Sequence, residues 1–183
     1  PLDVMHKALY AKAQPAGAAL GNARHNIVLT GFMGTGKSSV AKEIAKSSGL
    51  RAIDTDENIE KKAGFPISEI FANSGESKFR ELERLEIAAL AGSENCAIAC
   101  GGGAMLDPEN VKVLKGLGVV VLLCSGIPAI LGRIGNPASR PLLGTGNPKQ
   151  AARKLFSERI WTYAMACDLV VGVDGKTLGK VAE

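Results

Sequence analysis

The sequence predicts an α/β fold: a mostly parallel, five-stranded sheet flanked by helices. Three observations predict it. Short apolar runs at residues 26–30, 51–54, 97–100, 119–124 and 169–173 alternate with stretches of helical periodicity, the pattern of repeated strand–helix–strand units. Residues 119–124 (Val-Val-Val-Leu-Leu-Cys) are apolar without interruption, as a central strand covered on both faces requires. The first run leads straight into Gly31-Phe32-Met33-Gly34-Thr35-Gly36-Lys37-Ser38. That stretch fits G-x-x-x-x-G-K-[ST] at every fixed position, and residues 38–48 then read as a helix. Strand, glycine-rich loop and helix in this order make a P-loop, so a P-loop NTPase fold is expected.

The elements follow in order. Residues 1–25 are Ala-rich and carry Pro15, Gly17 and Gly21. Residues 3–12 suit a short helix, and the rest reads as linker. An N-terminal extension or linker (1–25) and one α/β domain (26–183) are therefore expected. After the strand at 51–54, residues 57–62 and 66–73 suggest two short helical pieces broken at Gly64. A longer helix follows over 75–91, on which Glu76, Arg80 and Glu83 share a face. The strand at 97–100 runs into Gly101-Gly102-Gly103. Asp107-Pro108 then reads as an N-cap and N1 pair opening a helix to residue 115. Helices are expected at 127–134 and 150–165, a Gly/Pro-rich loop at 135–148, and a short helix from 176.

Bulk properties exclude several classes. The chain has 183 residues, enough for one domain. Hydrophobic residues make up 46% and charged residues 22%, so a real core is expected. Net charge is +4, without a Lys/Arg cluster interleaved with aromatics. Nucleic acid is not an expected partner. No run reaches the roughly eighteen apolar residues of a membrane span, and no signal-peptide pattern opens the chain. The cysteines are Cys96, Cys100, Cys124 and Cys167, with no C-x-x-C pair, and the histidines are only His6 and His25. Zinc and a disulfide framework are poorly supported. Reduced thiols in a cytoplasmic protein are expected.

The P-loop carries the first chemistry. Its backbone N–H groups point into one hollow, and the following helix presents its N-terminus to the same anion. Gly34, Thr35, Gly36, Lys37, Ser38 and Ser39 are the expected ATP contacts, with Lys37 on the β- and γ-phosphates and Ser38 on Mg²⁺. P-loop proteins usually hold Mg²⁺ with an aspartate at another strand end. A search of the strand ends leaves Asp54. Asp56, two residues on, either projects beside it or caps a helix beginning at Glu57. Gly101, Gly102 and Gly103 lie at the carboxyl edge of the sheet, where ligands bind in open α/β folds. They suit either a ligand-lining backbone or a plain turn. Arg80 fits a solvated, salt-bridged face. Arg133, Arg140, Arg153 and Arg159 cluster in the last third of the chain. An arginine in the loop at 135–148 suits a mobile lid over phosphates. Composition does not separate these arginines from ordinary surface ones.

Together these residues resemble the shikimate kinase family, P-loop small-molecule kinases of the nucleoside-monophosphate-kinase-like group. The resemblance covers residues 26–183 and rests on an ordered set. It comprises residues 31–38, Asp54-Thr55-Asp56 with Ile59-Glu60, Ile70-Phe71 through Gly75-Glu76 to Phe79-Arg80 and Glu83, Gly101-Gly102-Gly103, Arg133 with Arg140-Pro141-Leu142-Leu143, and Arg159 with Tyr163. It implies ATP-dependent phosphorylation of the 3-hydroxyl of shikimate, in the chorismate route to aromatic amino acids. Asp56 resembles the presumed base, and Arg80 and Arg159 the pair that holds the shikimate carboxylate. Gly102 and Gly103 resemble the ring-lining glycines, with Gly101 beside them. Asp54 resembles the Mg²⁺-associated aspartate, Arg140 the lid arginine and Arg133 the nucleotide-side arginine. Trp161 stands where proline is frequent in the family, and Cys167 where alanine is usual.

Two other readings fit less well. A regulatory GTPase would want an Asn/Thr-Lys-x-Asp segment, which is absent. A gluconate or nucleotide kinase is disfavoured by the Asp-Thr-Asp, Phe-Arg and triple-glycine set. The expected partners are shikimate and ATP, and the expected state is a monomer. Residues 1–9 weakly resemble the closing helix of shikimate dehydrogenase, which would make 11–24 a linker between fused enzymes.

Overall fold

The structure is a computed structural model that describes residues 26–134, 141–143 and 147–183. The N-terminal extension, with the fusion reading that depends on it, lies outside the described residues. So do Arg140 and most of the expected lid.

Five strands, β1 (Asn26–Thr30), β2 (Arg51–Asp54), β3 (Cys96–Ala99), β4 (Gly118–Cys124) and β5 (Leu169–Gly172), form one sheet in the order β2-β3-β1-β4-β5. Every pairing is parallel. The crossovers are α1 (Lys37–Ser48), α2 (Thr55–Ala63) with α3 (Ile67–Ala89), α4 (Pro108–Leu117), and α5 (Ile127–Arg133) with α6 (Pro148–Ala166). A short α7 (Leu178–Ala182) closes the described chain.

Alternation along the strands divides the core into two layers. Leu29, Ala97, Ala99, Val121 and Leu123 face α1 through Val40, Ala41 and Ile44. Val28, Ile98, Val120, Leu122 and Cys124 face the opposite layer, which holds Leu114 of α4, Ile130 of α5 and Ile160 of α6. Both faces are buried, which is why β4 shows no polar alternation. The connection leaving β1 runs to one edge of the sheet and the connection leaving β3 runs back past β1. The carboxyl ends of β1 and β3 therefore flank the switch point where α/β sheets bind ligands.

Several boundaries differ from expectation. Asp54, not Asp56, caps α2: its Oδ1 accepts from Asp56 N at 3.0 Å and Glu57 N at 3.2 Å. The helix starts at Thr55, so Asp56 sits inside its first turn. β3 is shifted one residue toward the N-terminus and leaves Cys100 just beyond it, although Cys100 N still donates to Leu29 O at 3.0 Å. α6 begins at Pro148, because Asn147 caps it by accepting from Lys149 N and Gln150 N. Of the expected lid, Pro141–Leu143 is a short 3-10 turn, and Leu143 is buried in the core.

α2 and α3 form an arm beside the sheet, packed through Ile59, Ile70 and Phe79. Asn58 and Lys62 both bond the buried Glu86. Glu60 Oε1 accepts from Ile67 N at 2.8 Å and so satisfies the N-terminus of α3, whose own N-cap position is Pro66. At Gly75 (φ 77, ψ 173) the helix breaks and re-aims. A β-carbon there would meet nothing within 4 Å, so backbone conformation, not space, asks for glycine.

Candidate active site

Two adjoining cavities open at the carboxyl edge of the sheet. The first, of about 360 Å³, is lined by Met33, Gly34, Gly36, Lys37, Ser38, Ser39, Asp54, Asp56, Cys100, Gly102 and Arg133. It is the phosphate side. Lys37 Nζ donates to Gly31 O at 2.9 Å and Phe32 O at 3.2 Å, so the ammonium lies folded over its own loop. Thr35 sits behind the cavity. Its hydroxyl and N–H both turn to Phe32 O, at 2.8 and 3.4 Å, and it does not line the hollow. Cys100 borders the cavity, but burial pushes its thiol far above the usual range. It stays protonated and is no nucleophile.

The second cavity, of about 370 Å³, holds Asp56, Arg80, Glu83, Gly101, Gly102, Gly103, Arg159 and Tyr163. The two cavities share Met33, Ser38, Asp54, Asp56 and Gly102. Its walls come from α2, α3, the loop after β3 and α6. Thr55 Oγ1 accepts from Gly101 N at 3.1 Å, which ties the start of α2 to the glycine loop.

The glycines are needed for space. A β-carbon on Gly101 would lie 2.6 Å from Asp56 Oδ1 and 2.7 Å from Glu83 Oε1, so the two carboxylates approach the same point. One on Gly103 would overlap the Arg80 guanidinium. Gly102 has more room, with Gly31 O the nearest atom at 3.6 Å.

Arg80 is held rigidly. Its Nη1 bonds Glu83 Oε2 at 2.7 Å, its Nη2 and Nε bond Glu76 Oε1 at 2.8 and 3.2 Å, and it lies 5.2 Å from the centre of the Phe79 ring. Its side chain is 23% exposed and that of Glu83 only 1%. Burial works against the Arg80 charge, but the Glu83 and Glu76 carboxylates outweigh it and hold its pKa above the ordinary value. For Glu83, burial wins over the attraction of Arg80 and Arg159 and raises the carboxyl. Glu83 Oε1 accepts no hydrogen bond within the described structure. On the opposite wall, the Gly102 carbonyl accepts from Arg159 Nη1 at 3.5 Å and from the Tyr163 hydroxyl. Arg80 and Arg159 thus reach one glycine loop from two sides.

Comparisons with known proteins identify the family. The sequence pattern that defines shikimate kinase matches residues 33–183. The chain belongs to the shikimate kinase family. The shikimate kinase of Caldanaerobacter subterraneus subsp. tengcongensis is 42% identical over 158 residues, covering 86% of this chain and 92% of the relative. That of Thermodesulfovibrio yellowstonii is 43% identical over 158 residues, covering 86% and 91%. The shikimate kinase of Acinetobacter baumannii, solved in complex with shikimate, superposes with a TM-score of 0.83 at 32% identity, covering 88% of this chain and 89% of that one.

Some residues of these cavities are not legible in the sequence. Glu83 was placed on the face of Arg80, but nothing in the sequence marked it as buried against Gly101. Tyr163 carried no assigned role until its hydroxyl met Gly102. Asp174, which follows β5 by two positions and bonds Arg133, is a second strand-end carboxylate at this edge of the sheet. Arg153 lines neither cavity.

Among the described residues, no cluster of three or more His, Cys, Asp or Glu could hold a metal by itself. Mg²⁺ does not require one, since it takes one or two protein oxygens and completes its shell with phosphates and water. Ser38 and Asp54 border the same cavity, and both capping bonds fall on Oδ1 of Asp54, which leaves Oδ2 out of the cap. These hard oxygen donors fit the ion.

Proposed function

We infer that the chain transfers the γ-phosphoryl group of ATP to the 3-hydroxyl of shikimate, giving shikimate 3-phosphate and ADP. The observation that carries this reading is Asp56, a half-buried carboxylate common to the phosphate cavity and the arginine-walled cavity. An acceptor hydroxyl beside Asp56 faces phosphate bound at the P-loop. As the new oxygen–phosphorus bond forms and the bond to the ADP oxygen breaks, Asp56 takes the hydroxyl proton. Arg80 and Arg159 bind the acceptor carboxylate by charge-assisted hydrogen bonds, with Arg80 pre-aimed by Glu76 and Glu83. Gly101, Gly102 and Gly103 let the ring approach the backbone. Lys37, the loop N–H groups and Arg133 hold the nucleotide, and Arg140 keeps the lid role the family resemblance gives it. Ser38 and Asp54 would hold Mg²⁺, which when bound neutralises charge on the phosphate oxygens.

No helix among the described residues is long and apolar enough to cross a membrane. All four cysteines are free. A cytoplasmic monomer completes the reading. A coupled ADP-release assay over shikimate, gluconate and nucleoside monophosphates tests it. Turnover with shikimate alone is expected, and equal turnover with gluconate would overturn it.

A further inference from the structure

The phosphate cavity ends at a polar cluster in which Arg133 meets Ser125 and Asp174, two residues outside the motifs that defined the site. Arg133, the last residue of α5, extends across three elements. Its Nη1 donates to Ser125 Oγ at 3.0 Å and approaches Gly34 O of the P-loop at 3.5 Å. Its Nη2 lies 3.5 Å from Asp174 Oδ1, on the turn after β5. Asp174 also reaches the start of α5: Oδ2 accepts from Gly126 N at 2.7 Å, and Oδ1 accepts from the Ser125 hydroxyl. Gly126 is the N-cap position of α5 and has no capping side chain of its own. Asp174 therefore supplies from another strand the acceptor this helix start lacks. One carboxylate holds both ends of α5, the N-terminus by hydrogen bond and the C-terminal Arg133 by charge. The body of the helix rests on the P-loop, since a β-carbon on Gly34 would lie 3.2 Å from Ile130 O.

We propose that Asp174 is a positioning residue for nucleotide binding: it aims Arg133 at the phosphate cavity and makes ATP affinity depend on the turn after the last strand. This rests on the reading of Arg133 as a nucleotide-side residue. The geometry favours a positioning role over plain capping. Capping needs only the Gly126 contact, whereas Oδ1 is shared by Ser125 and Arg133, and Ser125 itself bonds Arg133. An unanchored guanidinium would sample many rotamers, and ATP would have to order it on binding.

Asp174→Asn separates the two roles, because its amide oxygen still accepts from Gly126 N while the charge on Arg133 is lost. The pair is partly exposed, at 41% and 45%. The expected effect is therefore moderate, a rise of about two- to fivefold in KM for ATP, with KM for shikimate and the thermal midpoint held. Arg133→Ala should raise KM for ATP at least as much, and adding Asp174→Asn to it should change nothing more. If Arg133→Ala leaves KM for ATP unchanged, the nucleotide-side reading of Arg133 fails. If Arg133→Ala raises it and Asp174→Asn does not, the proposal alone fails. An Asp174→Asn effect that persists in the Arg133→Ala background, or that falls equally on shikimate, overturns it as well.

Discussion

On the phosphate side, consecutive residues 31–38 supply the glycines, the ammonium and the hydroxyl, and the helix they open supplies its N-terminus. On the acceptor side, no two of Asp56, Arg80, Gly102 and Arg159 are neighbours in sequence, and each arrives on a different element. The first region is a backbone structure whose shape follows from local conformation. The second is a side-chain structure assembled by packing, and it includes an ion pair between the half-buried Arg80 and the buried Glu83. A backbone cradle can lose a side chain without losing its shape. A buried charged wall cannot, because removing one ion leaves the other desolvated and uncompensated.

The largest expected effect tests the phosphate side. Lys37→Ala should lower kcat by about 10²–10³-fold while the thermal midpoint stays near that of the parent, since Lys37 bonds carbonyls of its own loop and belongs to no buried core cluster. An unchanged kcat would remove Lys37 from the transition state. A collapse of the midpoint would mean the cradle depends on this side chain after all.

Next come the two aspartates at the boundary. Asp56→Asn should lose mainly kcat, on the order of 10²-fold. Asp54→Asn should instead raise the Mg²⁺ concentration needed for half-maximal rate. Rate measurements over a Mg²⁺ titration separate them, and identical metal dependence would contradict the division of roles.

On the acceptor side, Arg80→Ala and Arg159→Ala should each cost about 1.5–3 kcal/mol in shikimate binding, with little change for ATP. The two should differ in stability. Arg80→Ala strands Glu83, so its midpoint should fall as well, whereas Arg159 supports Glu83 by charge alone, beside its contacts with Gly102 O and Tyr163, and its loss should cost less. Binding titrations and melting curves on both variants check this. Equal losses for ATP and shikimate would move the arginines out of the acceptor wall.

The smallest expected effect concerns pH. Burial raises the Glu83 carboxyl, so the folded state favours its neutral form. That contribution is complete below the ordinary glutamate pKa of about 4.3 and is lost as pH rises through the higher folded value. Relative to Glu83→Gln, the parent midpoint should therefore decline between pH 4 and 7, on the order of 2–4 °C for each kcal/mol lost. A constant difference would show that Arg80 fully compensates the buried charge.

What could be read directly from the chain was whatever depends on neighbours in sequence. Short apolar runs located β1 and β2, and β3, β4 and β5 to within one residue. The P-loop stood out because its glycines, lysine and serine must be contiguous to wrap one phosphate, and Asp107-Pro108 opened α4 as expected. Boundaries failed where a side chain chose between nearby backbone groups. Either Asp54 or Asp56 suits a cap, and only the folded backbone decides for Asp54, which stays extended while its Oδ1 accepts from Asp56 N and Glu57 N. Burial of charge was also invisible: Glu76 and Glu83 flank Arg80 with the same letter, yet one is half exposed and the other sealed under the glycine loop. Asp174 follows the expected strand at 169–173, but its role has no local sign, because its partners Ser125, Gly126 and Arg133 lie more than forty residues away. Periodicity and motif spacing are short-range properties and determine elements and the phosphate cradle. Which carboxylates lose their water, and which arginine each one holds, is settled only when distant elements pack, since desolvation belongs to the assembled site and not to any one residue.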